Sequence, residues 1–433
     1  MTEHTEPPQP SPEDRITLRS PAELADALPY LLGFHPDDSI VMVALHGAHG
    51  RFGGRLRLGI PGGPDEWPEV ARQLAECLVS GSAKRGSRPE GILVFLCQDP
   101  SGEEAAQEVM ERLRPLAQSL RTACGELDVP VPEALCISGG RFWSYCCPDV
   151  RCCPAQGSPL TLPGTSVMAA AATFAGIQVR GSLREMEARL APRTGPAARA
   201  QEEVLDAVAT ELVPRILGGV ARETVCEETL ALIRRLLGRF AGVSPVGTHH
   251  DADVRDDALV TDEEAAAIVV GLQDRTTRDR AAEWMEAPDV DSALRLWRSV
   301  ARRCVGAYRD HAAAPLTLAG WVAWAAGDEP TARVALGMAL RADPDYVFAK
   351  LLHQGANEGL DPELLRRCLR KERAARSDRG SGPSACDAPG RAPDRGPGRR
   401  GGRGSRGGTR PPVQANRSRT RRRTGRRGAR SSG

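Results

Sequence analysis

Gly139-Gly-Arg-Phe-Trp-Ser-Tyr-Cys-Cys-Pro-Asp-Val-Arg-Cys-Cys-Pro-Ala-Gln-Gly157 divides the chain into halves of different periodicity. Before it, short apolar runs alternate with helical stripes; after about Thr165 only helical stripes remain. The expected fold class is therefore an α/β N-terminal domain with a mixed sheet, followed by an all-α domain and a disordered basic tail. In residue terms, 1–14 are expected to be disordered, 15–164 to form the α/β domain ending in this Cys-rich loop, 165–373 to form the helical domain and 374–433 the tail. The stretch holds four of the twelve cysteines and concentrates side-chain chemistry, but it spells out no reaction.

Working back from it, Ala134–Ser138 and Arg141–Tyr145 flank Gly139-Gly140, a pair that supplies positive φ for a tight hairpin. Gly91–Leu96 and Ser39–Leu45 are unbroken apolar runs, as expected of strands buried on both faces. Arg51–Ile60 alternates and reads as the hairpin partner of Ser39–Leu45. Arg15–Arg19 reads as a further short strand. Ser20-Pro-Ala-Glu23 supplies an N-cap, a proline at the first helical position and a glutamate at the third, for a helix ended by Gly33. Helices are also expected after Pro64 and over Gly102–Ala123, giving the order β-α-β-β-α-β-α-β-β. Neither Gly50–Gly54 nor Gly59–Gly63 has phosphate-loop spacing, so both read as turns.

The chain has 433 residues and 41% apolar content, enough for two cores, but only 4% aromatics, so Leu, Val and Ala must do most of the packing. Residues 1–14 have neither a basic nor an apolar stretch of a secretory signal, and no apolar run is long enough to span a membrane, so a cytoplasmic location with no membrane partner is expected. A reducing compartment in turn argues against a disulfide framework for the twelve cysteines. The formal charge of +2 conceals a division: residues 374–433 hold 17 arginines against three aspartates, while the rest of the chain is acidic, with 41 basic and 53 acidic side chains. Such a tail pairs with nucleic acid or another polyanion through charge alone, without stacking aromatics.

Tyr30-Leu-Leu-Gly-Phe-His-Pro-Asp-Asp-Ser-Ile40, together with Gly140–Gly157, resembles the bacterial family known as domain of unknown function 4192, of high-GC Gram-positive bacteria. The resemblance extends from about Ile16 to Arg370. It implies a shared fold and carries over no catalytic residue. Phe142-Trp143 and the extra thiol at Cys146 depart mildly from the family pattern.

Three readings of the cysteines stay open. Cys147, Cys152 and Cys153 could offer thiolates to one zinc ion, with Cys146 or a distant histidine as fourth ligand, although adjacent cysteines point apart and the spacing is not that of paired knuckles. Closely spaced thiols could resolve one another's oxidation, with Arg141 and Arg151 lowering a thiolate pKa. The plainest reading is that the cysteines act as small apolar packing residues in a proline-turned loop.

Beyond Thr165, stripes over Gln201–Leu217 and Thr224–Phe240, joined at Gly218-Gly219, read as an antiparallel helix pair. Thr248-His-His-Asp-Ala-Asp-Val-Arg-Asp-Asp257 gathers two histidines and four carboxylates but reads as a solvated loop rather than a metal site. Residues 313–346 resemble a single tetratricopeptide repeat in their small and punctuating positions, Gly320, Gly327, Ala332, Ala339 and Pro344, while Leu316, Ala323 and Leu336 depart from its aromatic ones. The functional expectation is a cytosolic interaction or scaffolding protein with a protein partner. The alternatives are a thiol-dependent redox or metal-binding enzyme using the cysteine loop, and nonspecific nucleic-acid binding by the tail.

Overall fold

The computed structural model describes residues 18, 20–47, 49–149, 151, 153–161, 164–219 and 221–380, with side chains through 376. Strand β1 (Ser39–His46) is buried through its first six residues because both of its faces are covered. It lies between β2 (Arg51–Gly59), its antiparallel hairpin partner, and β3 (Gly91–Cys97), also antiparallel and buried throughout. β4 (Glu133–Ser138) pairs parallel with β3, and β5 (Arg141–Ser144) and β6 (Ser158–Pro159) continue antiparallel. The sheet order is β2-β1-β3-β4-β5-β6, a mixed sheet.

Of the expected strand at Arg15–Arg19, only Leu18 lies within the described residues, and it is in no strand; β6 adds a strand to the expected order. The parallel pair β3 and β4 needs a crossover, which α3 (Ala106–Glu126) provides. α3 and α2 (Trp67–Lys84) cover one face, packing Val109, Leu113, Trp67 and Leu78 on Ile40, Met42, Val94 and Leu96. The alternate residues Val41, Val43, Leu93 and Phe95 point to the other face, beneath α1 (Pro21–Leu32).

That second face opens into the helical half. α4 (Val167–Phe174), α5 (Leu183–Ala188), α6 (Gly195–Leu217) and α7 (Arg222–Ala241) follow the sheet in sequence. Next come α8 (His249–Ala258), α9 (Asp262–Gly271), α10 (Arg275–Ala281) and α11 (Val290–Arg302). α12 (Ala313–Ala325), α13 (Glu329–Ala342), α14 (Val347–Asn357) and α15 (Glu363–Gly380) complete it. One continuous cluster of buried side chains joins Val43 and Phe95 of the sheet to Leu183, Leu236, Trp297 and Trp321 of these helices.

Three sequence readings need correction. α6 packs chiefly along α9 and only lightly on α7, and Leu217, placed in its apolar stripe, is 79% exposed. The polar stretch 248–257 is not a loop: Thr248 accepts from the Asp251 amide, the Asp251 carboxylate accepts from the Thr248 amide, and this capping box starts α8. Ala374 does not end the fold, since α15 runs on to Gly380; residues 381–433 lie outside the described residues. α12 and α13 do form a hairpin over 313–342, but every residue of α12 is buried, so this helix is core.

Asp253, Asp256 and Asp257 share one face of α8, at spacings of three and four residues. Arg189 grips Asp253 at 2.9 and 3.0 Å, and Arg295 grips Asp256 at 3.0 and 3.1 Å. Arg302 and Arg193 converge on Asp257, which also accepts from Ser299 Oγ at 2.8 Å. Forked guanidiniums meet two carboxylate oxygens at once, which fixes α8 against α5 and α11 in orientation as well as position.

Candidate functional site

Both motifs quoted above act first through backbone geometry. Gly33 ends α1 in the left-handed region, with φ of 84°, and donates to Pro29 O at 2.7 Å. Its own carbonyl accepts from Arg180 N at 2.7 Å, His35 N donates to Gly181 O at 2.9 Å and Leu183 N donates to His35 O at 2.9 Å. The Gly33–His35 segment thus lies against 180–183 like a short parallel bridge. The Asp37 carboxylate accepts from the Arg184 amide at 2.8 Å, and Asp38 accepts from the Arg184 guanidinium at 3.0 Å. These links tie the entrance of β1 to the start of α5.

The second motif folds the cysteine loop back onto the sheet. Arg141 donates to the carbonyls of Gly157 and Gln156 at 2.8 and 3.2 Å, and Trp143 Nε1 donates to Ala155 O at 2.9 Å. Gly157 has a φ of 74°, and a Cβ there would stand 2.4 Å from the Trp143 indole, so the loop crosses the ring where a side chain would not fit. Leu160 N then donates to Gly140 O at 3.0 Å.

The two motifs meet at a cavity of about 750 Å³ between α1, the Gly140 turn, Leu160-Thr161 and the segment after α4. Asp26, Tyr30, His35 and Gln178 bring polar groups to it; Ala25, Pro29, Leu160, Ile177 and Val179 make the rest of the wall largely apolar. Partial burial, then the charge of Asp26, raises the Tyr30 pKa, with a Gly164 backbone hydrogen bond pulling the other way, so Tyr30 offers a neutral hydroxyl at physiological pH. Lining residue Ile177 is 44% exposed, and Phe174, which follows lining Thr173 in the chain, is 91% exposed.

The cysteine loop lies beside this cavity, and none of its cysteines lines the wall among the described residues. Cys147 is half-buried, and its amide donates to Ser144 Oγ at 2.9 Å; Cys153 is half-buried, with its amide on Asp149 O at 2.7 Å. Cys152 lies outside the described residues. Among those described, no three His, Cys, Asp or Glu side chains come together in a metal-holding group. Burial raises the Cys146 pKa, opposite to what a reactive thiolate needs.

A model of the family described as Domain of unknown function (DUF4192) matches residues 21–363, both motifs included. The chain belongs to this family. No curated protein and no solved structure matches it. Within the DUF4192 region, no helix among the described residues is long and apolar enough to cross a membrane. Tyr30 and His35 stand inside a quoted motif yet carry no role in the sequence reading, because their convergence with Gly140 and Leu160 depends on how the loop returns. The α8 aspartates had a visible signal, the capping box followed by carboxylates on one helical face; their arginine partners, up to 64 residues away, had none.

Proposed function

We propose that the protein is an interaction module whose partner is another protein chain, docking an apolar segment into the cavity beside α4. The supporting observation is Phe174, 91% exposed on a short helix next to cavity-lining Thr173 and Gly176. Exposed large apolar groups grouped at a concave site are the usual mark of a docking surface, where an aromatic and a neighbouring pocket supply most of the binding energy. Tyr30, Asp26 and His35 would give such a segment direction through hydrogen bonds. This reading is preferred to thiol chemistry because the polar and apolar groups that converge are those of the cavity.

The test is selection of a random peptide library against the intact protein, followed by measured affinities. Peptides with aromatic or aliphatic anchors should be enriched, and their affinity should fall about tenfold or more for Phe174→Asp and for Ile177→Asp, a loss of roughly 1.4 kcal/mol or more. Selected peptides that bind both variants as well as the parent, or a selection with no enrichment, would remove the proposal.

A second reading rests on the charge of the tail. If residues 381–433 bind polyanions, affinity for duplex DNA should vanish on their deletion and should fall by about 0.9 log unit per log unit of salt for each phosphate neutralised.

A further inference from the structure

A second cavity, of about 410 Å³, opens between α5, α11 and the α12–α13 hairpin. Its charged groups are nearly all committed. Arg180 pairs with Asp328 at 3.4 Å, Asp328 also caps α13 through Thr331, Arg189 is forked onto Asp253, and Glu185 accepts from the Ser182 amide at 2.8 Å. Besides the His249 imidazole at the start of α8, two are left over, both on α11: half-buried Arg298 and the exposed carboxylate of Asp291 have no hydrogen-bond or ion-pair partner among the described residues. They stand seven positions apart, two helical turns and about 10.5 Å along the axis, on the side of α11 that lines the cavity. Leu294 lies between them on α11, and Met186 and Leu190 add apolar wall.

An arginine brought half out of water, with five donors and no protein acceptor, is available to an anionic group that enters the cavity. Burial, then the neighbouring charge of Arg189, lowers its pKa to about 10, with Asp253 and Asp328 pulling the other way, so it stays charged at neutral pH. The planar fork suits a carboxylate. A dianion is disfavoured, because Glu185, Asp291 and Asp328 surround the space. The geometry points to a binding site for a small zwitterion, its carboxylate on Arg298 and its cationic end several ångströms away toward Asp291. The volume is that of a small-molecule site, within the usual range of about 300–1,000 Å³.

The test is calorimetry and thermal melting of the full chain with 6-aminohexanoate, hexanoate and inorganic phosphate as probes. 6-Aminohexanoate should bind more tightly than either of the others. Arg298→Met should weaken it about tenfold or more, Asp291→Asn should bring it down to the affinity of hexanoate, and Arg298→Lys should fall between parent and Arg298→Met. Because the arginine lacks a partner, the unliganded Arg298→Met protein should melt at the same temperature as the parent or higher. Phosphate binding as tightly as 6-aminohexanoate would overturn the zwitterion class. No binding by any probe, or an unliganded Arg298→Met protein that melts well below the parent, would overturn the site.

Discussion

Gly33 and Pro330 are packed so closely that a Cβ built on Gly33 would stand 2.2 Å from Pro330 Cγ. Gly33 ends the first helix of the α/β half and Pro330 lies in the first turn of α13, so this contact is a point where the two halves meet. Gly33→Ala meets two penalties, a left-handed backbone at about 1–2 kcal/mol and overpacking at about 1–3 kcal/mol. A loss of roughly 2–5 kcal/mol in urea unfolding is expected; a loss of only about 1–2 kcal/mol would show that Pro330 yields freely, and a change under about 0.5 kcal/mol would contradict both penalties.

Asp256 and Arg295 form the most buried of the α8 pairs, with side chains 3% and 12% exposed. Removing one member of such a pair strands the other, and Asp256→Ala should destabilise by about 3–5 kcal/mol. Glu69→Gln, which breaks the exposed pair with Arg72 on α2, should leave the unfolding midpoint where it is. Equal effects from the two substitutions would contradict the burial argument.

Burial pushes the Asp257 carboxyl up, but hydrogen bonds and charge from Arg302, with Arg193 and Ser299, outweigh it, and the pKa ends below the usual value. Asp274 behaves alike: burial is offset by Thr277 and Arg222. A carboxyl depressed in the folded state adds stability that is present above its unfolded pKa of about 3.9 and is lost as pH falls through the folded value. The denaturation midpoint should therefore lose the contribution of these two carboxylates only below about pH 4. The check is to compare the pH profile of the parent with that of Asp257→Asn; a difference that changes mainly between pH 5 and 7 would assign the dependence to other groups.

Native thiol titration should separate the cysteines by burial. Cys77 and Cys368 are exposed and should react at once, whereas burial raises Cys124 and Cys136 to about 11 and Cys304 further, so these should react only on unfolding. The same preparation, made without added metal, should be assayed for zinc. About one equivalent, whose removal disturbs the cysteine loop, would support ligation by Cys147, Cys152 and Cys153; no zinc and no fast-reacting thiol among them would leave packing as their role, and a fast-reacting one would favour the redox reading.

Local chemistry is what a sequence carries most directly, and here it determined the elements. Ser20-Pro21 started α1, Gly33 ended it, Gly139-Gly140 turned the hairpin, and the apolar runs at 39–45 and 91–96 were strands covered on both faces. Each rests on neighbours within a few residues, so no partner from afar is needed to read it. Where the reading went astray, distant partners decided. The aspartates of α8 look like a solvated loop until Arg189, Arg295 and Arg302 arrive to neutralise them. α6 turns its buried side to α9 and not to its sequence neighbour α7. Both cavities belong to this second kind. Tyr30 and Leu160 line one cavity because Arg141 and Trp143 pull the cysteine loop back to the sheet edge. Arg298 stands alone because Asp253 and Asp328, the carboxylates nearest to it in charge, are taken by Arg189 and Arg180, a competition settled only by packing in three dimensions.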